Sequence, residues 1–142
     1  EEAAVRNTRD VDILIRRADL NSARTSLEAA GFVYGQVLGV DIFLDGPDGR
    51  PKDAVHVLFA GEKVQPNYAT AAPDVADSEP AAQFQVVSLD ALVQMKLNSF
   101  RLKDRVHLLD LIGVGLVDAT WPVRLPSELA ARLQQLLDNP DG

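Results

Sequence analysis

Two aspartates, Asp10 and Asp12, stand at the mouth of the run Thr8-Arg9-Asp10-Val11-Asp12-Ile13-Leu14-Ile15. Residues two apart on a strand project to the same face, so the pair would stand together while Val11 and Ile13 turn toward a core. Two close carboxylates repel unless a proton or a cation lies between them, and a hard divalent ion with oxygen ligands is the natural partner. Mg²⁺ is the economical choice. Still carrying waters, it would bridge to nucleotide phosphates and stabilise charge in phosphoryl or nucleotidyl transfer. The plainer reading of Asp-x-Asp at a strand start is a solvated polar edge, and the pair alone favours that reading.

The rest of the composition narrows the chemistry. The chain has no cysteine and only two histidines, His56 and His107, so disulfides, thiolate metal sites and cysteine nucleophiles are excluded and any metal would be held mainly by oxygen. Fourteen basic residues against 21 acidic ones give a formal net charge of −7, which provides no field for tight non-specific binding of nucleic acid. No apolar run reaches the roughly 20 residues that span a bilayer, and the start EEAAVRN lacks the basic and apolar regions of a secretory signal. No membrane partner is expected, and the cytoplasm is the expected compartment. At 142 residues the chain is most simply one domain with a sizeable core.

The elements that would position the aspartates can be read from periodicity. Val11, Ile13 and Ile15 alternate with Asp10, Asp12 and Leu14, which predicts a strand over 10–16. Asp19 is a candidate cap for a helix over 19–30, with Leu20, Ala23, Leu27 and Ala30 on its apolar face and Gly31 as its stop. The runs VYGQVLGVDIFLDG and AVHVLFAG, joined by a turn-rich segment over 45–51, read as an antiparallel hairpin. Residues 61–82 hold three prolines and little periodicity, and a loop that long is usually functional or mobile. A short strand over 84–87, a helix capped by Ser88, a helix with Val106, Leu109, Ile112 and Leu116 on one face, and a last helix with Leu129, Leu133 and Leu136 complete the chain. The expected fold is α+β (or α/β), a small mixed sheet with helices and a helical C-terminal third.

The pattern as a whole resembles a known family. RNTRDVDILI with its following helix ending EAAGF, then AVHVLFAGEKV, VVSLDALVQMKLNSFRLKDRVHLLDLI and LPSELAARLQQLL, is similar to nucleotidyltransferases of the DNA polymerase beta superfamily, most of all the small bacterial branch related to abortive-infection and toxin-antitoxin nucleotidyltransferases. The resemblance covers most of the chain. It implies a nucleotidyltransferase-like mixed sheet flanked by helices, with Asp10 and Asp12 holding Mg²⁺ for transfer of a nucleoside monophosphate from a nucleoside triphosphate to an acceptor, which could be a small molecule, a protein hydroxyl or an RNA end. Lys96 matches the helical segment beside the nucleotide site and would contact the triphosphate; a lysine lying along a solvated helix face explains it equally.

Two departures accompany the resemblance. Family members carry a Gly-Gly or Gly-Ser turn before the acidic strand, whereas nine residues precede Asp10 here and none is glycine. The implied reading is a domain lacking its N-terminal strand and helix. The family also places a third carboxylate on a neighbouring strand, where this chain has His56. A neutral imidazole can bind a metal without supplying negative charge, and a histidine among apolar residues is more often structural. Asp41 and Glu62 are the alternative acids, and Asp41, which points opposite to Val40 and Ile42 toward the polar face of its strand, is the better third metal ligand if that face abuts Asp10 and Asp12. For Asp104, His107 and Asp110, local ion pairing is a sufficient explanation. These departures motivate a rival function, a catalytically degenerate interaction module with a cognate antitoxin-like protein as partner.

Overall fold

The computed structural model describes residues 11–80 and 85–142. The described residues have mixed helix and strand content with a four-stranded mixed sheet and four helices, an α+β arrangement as expected. It divides into two compact units, one running to Val64 with Ala71–Ala76 added, the other made of Gln65–Thr70 and the chain from Asp77 to Gly142. Among the described residues, no helix is long and apolar enough to cross a membrane.

In the first unit, β1 (Val11–Ile15) leads through a helical turn to α1 (Leu20–Ala29), then β2 (Val33–Val37), β3 (Val40–Leu44) and β4 (Val55–Phe59). The strand order is β1-β4-β3-β2, with β1 parallel to β4 and the other pairs antiparallel. A parallel neighbour requires a long crossover, here the whole segment containing α1 and the β2–β3 hairpin. The register sets Asp12 beside His56, His56 beside Ile42 and Ile42 beside Gly35. Those residues share one face of the sheet, and Ile13, Tyr34, Phe43 and Val57 share the other. The second face carries the apolar cluster of Phe43, Val57 and Phe59, against which Ile13, Ile15, Leu20, Leu27 and Phe32 pack.

One expectation is corrected in this unit. The run VYGQVLGVDIFLDG is not a single strand of a hairpin; it folds back on itself at Leu38-Gly39, so that β2 pairs with β3 and β3 in turn with β4. Both turn residues have positive φ, 52° and 80°, which matches the twist of a two-residue hairpin. Leucine at the first of them is sterically costly by about 1 kcal/mol, which is why the sequence gives little warning of the turn.

The second unit holds the short pair β5 (Ser78–Pro80) and β6 (Gln85–Val87), then α2 (Leu89–Ser99), α3 (Leu102–Gly113) and α4 (Ser127–Asp138). The expected strand start at Phe84 lies outside the described residues. Ser88 caps α2 as expected, its Oγ accepting from the Ala91 N–H at 3.2 Å, a contact that contributes about 1 kcal/mol. At the other end, Arg132 on α4 donates to the carbonyls of Leu97 and Asn98 at 2.7 and 3.0 Å, satisfying acceptors that a helix end leaves open. Leu129, Leu133 and Leu136 are buried, as their spacing predicts. They join Val93, Leu97, Leu108, Leu111, Val117 and Trp121 in one cluster. The α3 face differs from the expected one: its buried positions are Asp104, Leu108 and Leu111, while Leu116 lies beyond the helix end. The apolar doublets of HLLDLI fit two rotations of the helix, and the buried one passes through a charged residue that reads as surface.

Candidate functional site

Asp12 projects from β1, an edge strand among the described residues, with its side chain 53% exposed. Its neighbour across the parallel pair is His56, whose Nδ1 lies 3.6 Å from Asp12 Oδ1, an ion-pairing distance when the imidazole is protonated and too long for a hydrogen bond. The local pattern explains the placement. Val11, Ile13 and Ile15 go to the face that packs on α1, and strand alternation turns Asp12 to the opposite face. Asp10 lies outside the described residues. Among the described residues no three histidine, aspartate or glutamate side chains gather as a metal-binding group.

Asp41 does not join them. It lies on β3 opposite Gln36 and next to Ile42, so it shares the face of Tyr34, Phe43 and Val57, away from Asp12 and His56. The expectation that Asp41 faces the polar side and serves as the third metal ligand is therefore corrected. β3 is an inner strand, and Asp41, Ile42 and Phe43 are all buried, so its two faces cannot be separated by polarity. Asp41 is instead held by its own sheet. Tyr34 Oη donates to Oδ2 at 2.5 Å and Gln36 Nε2 to Oδ1 at 3.2 Å. The same contact, together with burial, raises the Tyr34 phenol above its usual range.

Glu62 has a different commitment. Arg17 donates to both of its oxygens at 2.8 Å while the guanidinium lies 3.9 Å from the centre of the Phe59 ring. Those hydrogen bonds hold the Glu62 carboxyl below its ordinary value. Arg17, Gly39, Asp41, Phe59, Glu62 and Lys63 line a cleft of about 120 Å³. Sequence reasoning gave Arg17 no role. It lies in a helical turn between β1 and α1, and only the crossover brings it to the end of β4.

In the helical unit, Lys96 is four-fifths buried and its Nζ stands 3.6 Å from Asp104 Oδ1. Asp104 is 1% exposed. It accepts from Ser99 Oγ at 2.7 Å, from the Arg101 N–H at 2.9 Å and from Arg101 Nε at 2.8 Å. Burial works to raise this carboxyl, and the hydrogen bonds from Arg101 and Ser99 outweigh it, so it titrates below the ordinary carboxylate range. An ion pair at a helix start thus accounts for Lys96 and Asp104 without chemistry, with Lys96, Ser99 and Arg101 as the partners of Asp104 rather than the expected neighbour His107. Trp121 is buried with Arg124 stacked 4.0 Å from its ring, a packing role.

Of the residues singled out in the sequence, the fold thus brings Asp12 and His56 together, turns Asp41 away from them, and commits Glu62 to Arg17 and Lys96 to Asp104. No family model, no curated protein and no solved structure matches the chain.

Proposed function

We propose that the chain is a nucleotidyltransferase-fold domain that transfers a nucleoside monophosphate from a nucleoside triphosphate, with Asp10 and Asp12 as the ligands of Mg²⁺. The observation that carries this reading is the register of the parallel β1–β4 pair. It sets His56 beside Asp12, on the neighbouring strand where the resemblance expects a third acid. The donor set suits Mg²⁺, which is commonly held by one or two carboxylates with the rest of its shell from water and substrate phosphates. When bound, the ion neutralises charge on the phosphates undergoing transfer. Asp12 supplies a half-exposed carboxylate at a sheet edge, open to a bulky ligand. His56 supplies a neutral donor, or in its protonated form a cation that competes with the metal for Asp12. The acceptor class remains a small molecule, a protein hydroxyl or an RNA end.

Isothermal titration of the protein with Mg²⁺ and each nucleoside triphosphate tests the reading. Wild type is expected to bind a nucleotide in a Mg²⁺-dependent way, the Asp10→Asn/Asp12→Asn variant to lose that binding, and His56→Asp to tighten the Mg²⁺ dependence. Equal binding by wild type and the double variant would remove the metal-site claim. A second reading, a catalytically degenerate interaction module with an antitoxin-like partner, draws on the imidazole at the third-acid position and on the turning away of Asp41. It predicts that no nucleotide binds and that His56→Asp changes nothing.

A further inference from the structure

The four-stranded sheet has two edges, and they are built differently. β1 carries a charge, Asp12, at its second position. β2, Val33-Tyr34-Gly35-Gln36-Val37, carries none, and among the described strands it has β3 on one side only. Natural edge strands are normally guarded by charges, proline or bulges because their open N–H and C=O groups invite another strand. β2 has no such guard. Its exposed side chains are the uncharged Gln36 and two valines, Val33 at 37% and Val37 at 40% exposure, and the turn that follows presents Leu38 at 98% exposure. Leu38 has φ 52°, where asparagine, aspartate or glycine would fit more cheaply. An apolar residue is thus held in solvent at a position whose backbone favours polar ones.

We propose that β2 is a homodimerisation edge, pairing antiparallel with β2 of a second copy about a two-fold axis at Gly35. The strand is self-complementary in that register. Val33 meets the second copy's Val37, Tyr34 meets its Gln36, Gly35 meets its own counterpart, and Leu38 lands opposite the second copy's Phe32. No like charges meet anywhere along the pair, which is the electrostatic condition for a strand to accept itself. The backbone parity agrees. Val37 and Val40 flank the two-residue turn, so the ladder to β3 uses the N–H and C=O groups of Val37, Gly35 and Val33. Those of Tyr34 and Gln36 point outward, and they are the groups that this register pairs. The occupant is a copy of this chain because a two-fold interface must be complementary to itself, and the strand meets that condition. The result is a continuous eight-stranded sheet with β1, and so Asp12, at its two outer edges.

A cysteine trap tests the geometry, since the chain has no cysteine of its own. A Cβ added at Gly35 would meet Ile42 Cγ1 at 3.9 Å, an ordinary contact, so Gly35→Cys keeps the fold. Gly35 would be a non-hydrogen-bonded pair across the axis with Cα atoms about 4.5 Å apart, within disulfide reach. Mild oxidation is expected to convert Gly35→Cys to a covalent dimer far faster than the control Val123→Cys, whose position is 91% exposed and thus more accessible than Gly35. Sedimentation of the unmodified protein is expected to show a dimer. Leu38→Asn, which suits the turn, should weaken it by roughly a hundredfold through loss of two buried leucines, and Val37→Lys should leave a monomer with unchanged circular dichroism. A wild-type monomer at the highest soluble concentration, a dimer indifferent to Val37→Lys, or equal cross-linking of the two cysteine variants would overturn the proposal.

Discussion

The two units of this chain are held by different means. Among the described residues, the helical unit encloses nine buried ones in one cluster, contributed by α2, α3, α4 and the segment between α3 and α4. The sheet unit's cluster has three, and α1, the one long helix among its described residues, buries no residue fully. Leu20 and Leu27 of α1 pack on that cluster only partly buried, and arginine contacts add to the hold on the helix and its flanks: Arg16 to Asp74, Arg17 to Glu62 and over Phe59, and Arg24 over Tyr34. Exposed ion pairs of this kind hold weakly and are screened by salt, whereas buried leucines are not. The residues with functional potential, Asp12, His56 and the cleft at Glu62, lie in the thinly packed unit. That is where low local stability is expected in proteins whose sites must open to a ligand.

The contrast can be broken by substitution. Leu133→Ala removes a fully buried side chain in the helical cluster and is expected to cost about 3 to 5 kcal/mol by urea unfolding; a loss comparable to that of Leu27→Ala in α1 would show the two cores to be equivalent. Next comes Asp104→Ala, at about 2 to 4 kcal/mol, because Arg101 and Ser99 lose a buried acceptor. Its pH dependence has a definite sign. The folded carboxyl titrates below its unfolded value near about 3.9, so its stabilisation is complete above that value and is lost as the pH falls through the folded one. The acid limb of the unfolding curve should therefore flatten in Asp104→Asn, and an unchanged limb would remove this account.

In the sheet unit, Tyr34→Phe takes away one of the two donors that satisfy buried Asp41 and should cost about 1 to 2 kcal/mol. Since the phenol is held above its usual range, wild-type stability should also decline as the pH rises through the tyrosine range, a decline absent from Tyr34→Phe. Glu62→Gln should be the mildest, leaving the urea midpoint within scatter at moderate salt and shifting it only when salt is removed. A large effect of Glu62→Gln at high salt would mean that the Arg17 pair is structural to the unit and would erase the contrast.

Much of this architecture was legible in the residues. The alternation of Val11, Ile13 and Ile15, the Ser88 cap and the leucine spacing of α4 each matched what the fold shows, because in each a single local force dominates. Three features were not legible, for three physical reasons. The Leu38-Gly39 turn was missed because a leucine in a left-handed turn position is a poor signal. The α3 face was rotated because its apolar doublets satisfy two phases, and the choice was made by Asp104 entering a polar network assembled from Ser99, Arg101 and Lys96. Asp41 does point opposite to Val40 and Ile42, but its face is the apolar one and not that of Asp12, a distinction hidden because a strand flanked on both edges buries polar and apolar residues alike. The pairing of Asp12 with His56 depends on a parallel register between distant segments, which no local pattern encodes.

That parallel register has a consequence in time. β1 precedes every other strand in the described chain, yet its partner ends at Phe59, and the intervening α1 and β2–β3 hairpin can form from neighbouring residues alone. Contacts of high sequence separation wait on loop closure, so the local hairpin is expected to be in place before β1 docks on β4. The edge bearing Asp12 would then be the last part of the sheet to close and the first to be released when it opens. Unfolding followed by a probe on β1 should run ahead of one on the β2–β3 turn.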